Sequence, residues 1–408
     1  MKILLVNKYF FPKGGSETSF FNTAKILKDH DHQVSFFSMA HPSNIKTLYS
    51  KYFVSNVDFE EPASFKKNIK TSARILYSME AKKKLEELLR QETPDIVHLH
   101  NIHHQISPSI LYTLKKFKLP VVMTLHDYKM VCPIYTMILR GQVCERCRDK
   151  RYFHCTLHRC CKDSFSKSFL NTIEMYFHNS ILKSYNLIDV FISPSQFLKS
   201  KLREMGFRGN IIHLRNFVIP EEFNPSYKWE DKTILCFGRL SREKGIFTLL
   251  QAVEGLPVLC KIFGDGPDKD TIQTYIKEKN LTNTFLCGFV DQEQLKKEVQ
   301  KCMFVVLPSE WYENHPFSVI ESFALGKPVV GAKIGGIPEL IRDYKTGMTF
   351  EPGNAGDLRK KILYLLENSE KISNLGKTAR NYIEQNLNPE KHYKELMKIY
   401  NLALNKHN

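Results

Sequence analysis

The stretch TILCFGRLSREKGIFTLL (233–250) decides the fold. Its opening, TILCFGRL (233–240), predicts a strand: a short apolar run of the kind found where both faces of a sheet are covered. Its close, from Ile246 onwards, predicts a helix. Between them sit Arg239 and Lys244, five positions apart, with Gly238 and Gly245 beside them. Cations at a helix N-terminus oppose the macrodipole, so helix formation gives no reason for them. A bound diphosphate would give one, since Arg offers a fork of donors and Lys a point charge. Two solvated surface cations are the plain alternative.

The same strand-then-helix pattern recurs on both sides. In the first half, strands are expected at 3–7, 33–38, 95–100, 120–126, 190–195 and 211–217. In the second half they are expected at 233–240, 258–264, 284–289, 304–309 and 328–334. Helical segments between many of them imply βαβ units and parallel sheets, so the fold class is α/β with two doubly wound domains. With 408 residues the chain exceeds one ordinary core. The boundary falls in VIPEEFNPSYKWEDK (218–232), with two prolines and little apolar periodicity. We expect an N-terminal domain over 1–220, a second over 221–385, and a helical segment over 386–408 that crosses back to the first.

Charge divides the halves. Residues 1–220 carry 33 Lys and Arg against 18 Asp and Glu; residues 221–408 carry 26 against 25. A basic first half suits an anionic partner, either nucleic acid or lipid. No run reaches the roughly 18 apolar residues of a membrane span. The apolar run Ile3–Val6 is too short for a signal-peptide core. A cytoplasmic protein is expected.

Ligands of open α/β sheets bind beyond the carboxyl ends of the strands. The residues there are informative. FFPKGGSETSF (10–20) follows the first strand, with Gly14 and Gly15 for close backbone approach and Ser16 as a candidate helix cap. FGDGP (263–267) contributes Gly264, and ENHPFSVIE (313–321) places Glu313 and Glu321 on either side of a largely apolar segment. GGIPEL (335–340) follows the last of these strands. If residues 313–321 were all helical, the two carboxylates would stand about 12 Å apart along the axis, wider than the pair of a glycoside hydrolase.

Taken in order, these motifs resemble the retaining glycosyltransferases of family 4, which have the GT-B fold of two Rossmann-like domains facing across a cleft. The resemblance rests on Gly14, Gly15 and Glu17, on DHQV (31–34), LHD (125–127) and SPSQF (193–197), and on GRLSREKG, FGDGP, the Glu-x7-Glu pair and GGIPEL. It implies a donor domain after residue 220 and an acceptor domain before it. It assigns Arg239 and Lys244 to the donor diphosphate, Glu313 to the sugar hydroxyls and Glu321 to the ribose. The amides of Phe317 and Ser318 would reach the phosphates, with Gly15, Gly238, Gly264, Asn314 and His315 also lining the donor. His126 would stand between donor and acceptor, with Gly14, Glu17 and Asp127 on the acceptor side. The catalytic set is His126, Arg239, Lys244 and Glu313. ENHP departs from the commoner EGFG or EGFP of the family, which bears on sugar identity.

The implied reaction moves a hexose-type sugar from a UDP- or GDP-sugar to a saccharide, expected to be lipid-linked, in capsule, O-antigen or exopolysaccharide assembly. No DxD-type motif follows a strand, so metal-independent transfer is expected and no catalytic cofactor. A GT-B-fold nucleotide-sugar epimerase or phosphorylase is the alternative within enzymes. A zinc-containing nucleic-acid-binding protein is the alternative outside them, and it leaves the strand-end motifs unexplained.

Six of ten cysteines fall between 132 and 161. Cys144, Cys147, Cys155 and Cys160 have the spacing of a small structural zinc loop, with Cys161, His154 and His158 in reserve; a loop of free thiols is the other reading. The basic half also mixes Lys and Arg with large apolar residues at 70–90, 115–118 and 163–184. That mixture suits helices packed on a sheet over most of their length, and it favours docking on an anionic membrane surface, where a lipid-linked acceptor resides. The expectation is a peripheral protein on the inner face of the plasma membrane, with no nucleic-acid partner.

Overall fold

The computed structural model describes residues 1–56 and 72–407. Lys70 and Thr71, which open the basic 70–90 segment, lie outside the described residues. The chain forms two compact units. One comprises Met1–Thr136, Glu145–Arg215 and His392–Asn408; the other comprises Met137–Cys144 and Asn216–Lys391.

The first unit contains strands β1 (Lys2–Val6), β2 (Gln33–Phe37), β3 (Ile96–Leu99) and β4 (Val121–Thr124). A two-stranded antiparallel hairpin follows, β5 (Ile138–Leu139) and β6 (Gln142–Val143), which clusters with the second unit. The first sheet is completed by β7 (Val190–Ser193) and β8 (Ile211–His213). Its order is β2-β1-β3-β4-β7-β8, with every pairing parallel. Ile3 to Val6 are all fully buried, because helices cover both faces of a parallel sheet and leave no polar side.

The second unit repeats the plan. Strands β9 (Thr233–Phe237), β10 (Leu259–Phe263), β11 (Thr284–Gly288), β12 (Phe304–Leu307), β13 (Val329–Ala332) and β14 (Gly347–Phe350) stand in the order β11-β10-β9-β12-β13-β14. All pairings are parallel here too. Two apolar clusters flank this sheet, one around Leu249, Leu250 and Ile362, the other around Val319, Phe323 and Ile383.

All eleven expected strands are present, and each ends one to four residues before the apolar run does. The residues left over leave the ladder to form strand-end loops. Strand β14 escapes sequence reading because GMTF is short and opens on glycine. The sequence reading also placed Ser16 as a helix cap. Gly14 takes that position instead, without a side-chain bond, and the Ser16 hydroxyl donates to the Glu17 carboxylate.

Both sheets turn around at one place. From β1 the chain builds outward to β2 and then returns to β3; from β9 it builds to β10 and β11 and then returns to β12. These reversals, β1/β3 and β9/β12, open a crevice at the carboxyl ends of the neighbouring strands. Leu235, fully buried in β9 between β10 and β12, tests this packing. Leu235→Ala is expected to lower the unfolding free energy by about 2–5 kcal/mol, read by urea denaturation.

Candidate functional site

At the β9/β12 reversal the loops after β9, β10 and β12 are stitched together. After β9 the chain passes Gly238 and the exposed Arg239, then makes one 3-10 turn, Arg242–Lys244, before the helix Ile246–Val253. The Glu310 amide donates to the Glu243 carbonyl at 2.8 Å, tying the β12 exit to that turn. The Thr248 hydroxyl donates to the Glu310 carboxylate. The loop after β10 docks on the same turn: Leu240 N donates to Asp265 O at 2.9 Å, and Asp268 N to Leu240 O at 3.0 Å. Gly264 has φ near +143°, and a Cβ there would lie 1.8 Å from the Gly238 carbonyl, so only glycine fits that crossing.

This stitching brings Lys244 and Glu313 together across 69 residues of sequence. Lys244 Nζ donates to Glu313 Oε1 at 2.6 Å and lies 5.0 Å from the centre of the Trp311 ring. The Ser309 hydroxyl donates to the same oxygen at 2.7 Å. Burial pushes the Glu313 carboxyl up, but the Lys244 ammonium and the Ser309 hydroxyl outweigh it and hold the carboxyl below its ordinary value. Glu313 is therefore a carboxylate at neutral pH. GGIPEL supports it from behind, as Gly336 N donates to Glu313 O at 2.7 Å. Gly335, with φ near +61°, is so close that a Cβ would meet the Glu313 backbone at 2.3 Å.

Downstream of Glu313, Asn314 is half-buried and His315 is buried, its carbonyl accepting from Asn216 Nδ2 at 3.2 Å. The helix Phe317–Ala324 starts after Pro316, which has no N–H, and no side chain caps its first amides. Phe317 and Ser318 thus stand at a helix N-terminus suited to an anion. Glu321 sits in the second turn of that helix, half-buried, and its carboxyl has no hydrogen-bond partner among the described residues. Burial pushes it up to about 7, against the pull of Lys296. A carboxyl so placed lacks donors, and a vicinal diol would supply two.

The β1/β3 reversal in the first unit has a different chemistry. Asn7 spans it, accepting from Asn101 N at 3.1 Å through its side-chain oxygen and donating to Glu17 Oε1 at 3.1 Å. Glu17 is buried and so fixes the loop on which Gly14 and Gly15 are exposed. Beside it, three histidines stack. His98 bonds Tyr400 OH at 2.8 Å and Thr124 Oγ1 at 2.7 Å; His100 stacks on it and bonds His126 Nε2 through Nδ1 at 2.9 Å. His100 Nε2 is buried without a partner. Orphaned buried N–H groups are rare, which assigns the His100 proton to Nδ1 and that of His126 to its own Nδ1. Burial, and secondarily Lys8, pushes His126 down to about 3. It is a neutral imidazole at any working pH, able to donate a hydrogen bond but not to release a proton as imidazolium. Asp127 Oδ1 accepts from Lys129 N at 2.9 Å, and burial pushes its carboxyl up.

The cysteines are all free thiols. Cys147 and Cys155 pack with Tyr152 and Met175 in a small apolar cluster that Cys160 borders, and Cys144 closes the β5–β6 hairpin. Among the described residues, no three His, Cys, Asp or Glu side chains are grouped to hold a metal ion. Sequence reading missed Asn7 and His100, each directly after a strand, and Ser309, two residues after one; only that position signalled them.

A family model described as Glycosyltransferase Family 4 matches residues 13–222, and one described as Glycosyl transferases group 1 matches residues 219–382. An uncharacterized glycosyltransferase, MJ1178 of Methanocaldococcus jannaschii, is 25% identical over 383 residues, covering 94% of this chain and 93% of the relative. An uncharacterized 42.6 kDa protein in the cps region of Klebsiella pneumoniae is 26% identical over 361 residues, covering 84% and 88%. The crystal structure of Anabaena Alr3699/HepE in complex with UDP-glucose superposes with a TM-score of 0.68 at 17% identity, covering 98% of this chain and 99% of that one.

Glu321 gives a pH test. Its folded pKa, about 7, lies above the ordinary 4.5, so the folded state holds the extra proton between those values. The associated stability is present below pH 4.5 and lost as pH rises through about 7. Glu321→Gln is expected to melt higher than the parent at pH 8, with the gain shrinking towards pH 4.5; a pH-independent difference would contradict the assignment.

Proposed function

Because the chain belongs to glycosyltransferase family 4 and has the GT-B fold, we propose that it transfers a hexose-type sugar, with retention of anomeric configuration, from a nucleotide-diphosphate sugar to a saccharide acceptor. The observation that carries this reading is the Lys244–Glu313 pair at the β9/β12 reversal, set between the exposed Arg239 and the uncapped helix Phe317–Ala324. The diphosphate lies against Arg239, Lys244 and the amides of Phe317 and Ser318. As the bond to the sugar lengthens, charge develops on the leaving phosphate oxygen, and these fixed donors stabilise it without rearranging. Lys244 turns from Glu313 to the phosphate, and Glu313 is freed to accept from the sugar hydroxyls. Glu321 accepts from the ribose. His126, neutral and donating from Nδ1, orients an acceptor hydroxyl rather than trading a proton.

No residue at either reversal is placed as a nucleophile on this reading; the acceptor hydroxyl attacks from the face the diphosphate leaves. UDP is the favoured nucleotide, supported by the UDP-glucose complex of the Anabaena neighbour. The relative from a cps region supports polysaccharide assembly as the setting. We place the acceptor on a lipid and the enzyme at the inner face of the plasma membrane. No helix among the described residues is long and apolar enough to cross a membrane, so the association would be peripheral.

The test is a thermal-shift and hydrolysis screen against UDP- and GDP-sugars, followed by NMR of the product's anomeric centre. Stabilisation by at least one donor and retention are expected; no response to any of them, or inversion, would overturn the reading. Arg239→Ala is expected to lower turnover about 100-fold, as loss of one charge-stabilising donor does. Appearance of the epimeric sugar at equal rates with and without acceptor would indicate an epimerase instead, and sugar 1-phosphate formed from a saccharide and inorganic phosphate would indicate a phosphorylase.

A further inference from the structure

The helix Phe165–Tyr176 is built inside out. Its buried residues are Ser168, Thr172, Glu174 and Met175, whereas Phe165, Phe169 and Ile173 are 59%, 49% and 37% exposed. A helix on a water-facing surface shows the reverse arrangement. The inner face is polar and bonded, with only Glu174 Oε1 left buried without a partner among the described residues. Thr172 Oγ1 accepts from Thr156 at 2.8 Å, Ser168 Oγ accepts from Cys161 N at 2.9 Å, and the Glu174 carboxylate pairs with Lys129, both side chains 1% exposed. On the outer face the exposed rings of Phe165 and Phe169 stack within 7° of parallel.

Within this helix the apolar positions 165, 169 and 173 recur every four residues, a spacing that keeps neighbouring side chains on one helical face. The stripe is about 12 Å long at the helical rise. Leu157 and Ile181, 68% and 70% exposed, extend the apolar surface of this region. Around it the charge is one-sided. Between 146 and 183 there are eight Arg and Lys, all exposed: Arg146, Arg148, Lys150, Arg151, Arg159, Lys162, Lys167 and Lys183. Against them stand Asp149, Asp163 and the buried, already paired Glu174.

We propose that this face docks on an anionic lipid bilayer, with Phe165, Phe169 and Ile173 entering the headgroup–acyl boundary and the flanking cations meeting lipid phosphates. The stripe of large apolar side chains supplies burial, and the cations supply attraction of about 1 kcal/mol each near an anionic surface. A second copy of the same face would bring like charges together, so self-association is disfavoured. The sequence alone allowed this helix to pack on the sheet through its apolar side; its buried side is instead the polar one, set against residues 156–161 and Lys129. The Lys129–Glu174 pair joins the helix to the loop that starts at His126 and Asp127. A docked helix therefore sets those two residues close to the bilayer, where a lipid-linked acceptor presents its sugar. The inference rests on the proposed function only for that last step.

The experiment is vesicle flotation at about 0.15 M salt, comparing phosphatidylcholine vesicles with vesicles containing about one-third phosphatidylglycerol. The full chain is expected to float with the anionic vesicles. The triple variant F165S/F169S/I173S is expected to lose at least tenfold in partitioning, and K162E/K167E to lose a similar amount on anionic vesicles alone. All five positions are exposed, so melting temperature and the thermal response to UDP stay at the parent's values. Failure of the parent to float, or undiminished floating of the triple variant, would overturn the proposal. So would a parent dimer that the triple variant dissolves in sedimentation velocity, since a second copy would then own the face. A chain that floats yet gives no response to any nucleotide sugar would sink the functional reading and leave the docking face standing.

Discussion

An ammonium and a carboxylate held 2.6 Å apart at the end of a parallel sheet organise the second unit. Glu313 is nearly buried, and a buried carboxylate without compensation is expensive, so Lys244 and Ser309 are required for the loop to hold its form. Neither partner is local in sequence. Their meeting depends on the β9/β12 reversal, on Gly264 crossing the Gly238 carbonyl, and on Gly335 lying against the Glu313 backbone. Four motifs separated along the chain thus serve one pair of charges. On the proposed function that pair is exchangeable: an incoming diphosphate would offer Lys244 a denser negative charge, and sugar hydroxyls would offer Glu313 replacement donors.

The first unit solves the opposite problem. Its strand-end histidines are buried and carry no charge. Packing His98, His100 and His126 in a stack, in a dense surround next to Lys8, removes their protons' acidity from the working range. The stack also fixes tautomers, because the partnerless Nε2 of His100 leaves one economical arrangement of protons. Glu321 carries a related tension: its burial raises its pKa to about 7, an internal strain that a bound diol would relieve.

Much of this was legible in the sequence, and the reason is periodicity. Continuous apolar runs such as ILLV and FVVL announce strands covered on both faces, and the residues directly after them announce the site. Arg239, Lys244, Glu313 and Glu321 could be singled out because their chemistry is out of place in a strand-to-helix turn. What could not be read was pairing: nothing in the one-dimensional pattern says that Lys244 holds Glu313, or that Asn7 spans two loops. The cysteine spacing left a metal loop and a loop of free thiols equally open; Cys147 and Cys155 pack with Tyr152 and Met175, and Cys144 ends a hairpin that sorts with the other unit. The inverted helix 165–176 was likewise invisible, because an amphipathic pattern gives two faces without saying which one is inside.

The exchange at Lys244 and Glu313 is the centre of the account, and UDP affinity measured by titration calorimetry on two variants tests it most directly. Lys244→Met removes the cation that binds phosphate and should weaken UDP about 100-fold, the equivalent of one charge-assisted hydrogen bond of about 3 kcal/mol. Glu313→Gln removes only the competitor for that cation, so UDP should bind as tightly as to the parent or more tightly. Equal weakening by both variants would contradict the account, since Glu313 would then belong to the nucleotide site itself and the pair would be a fixed support.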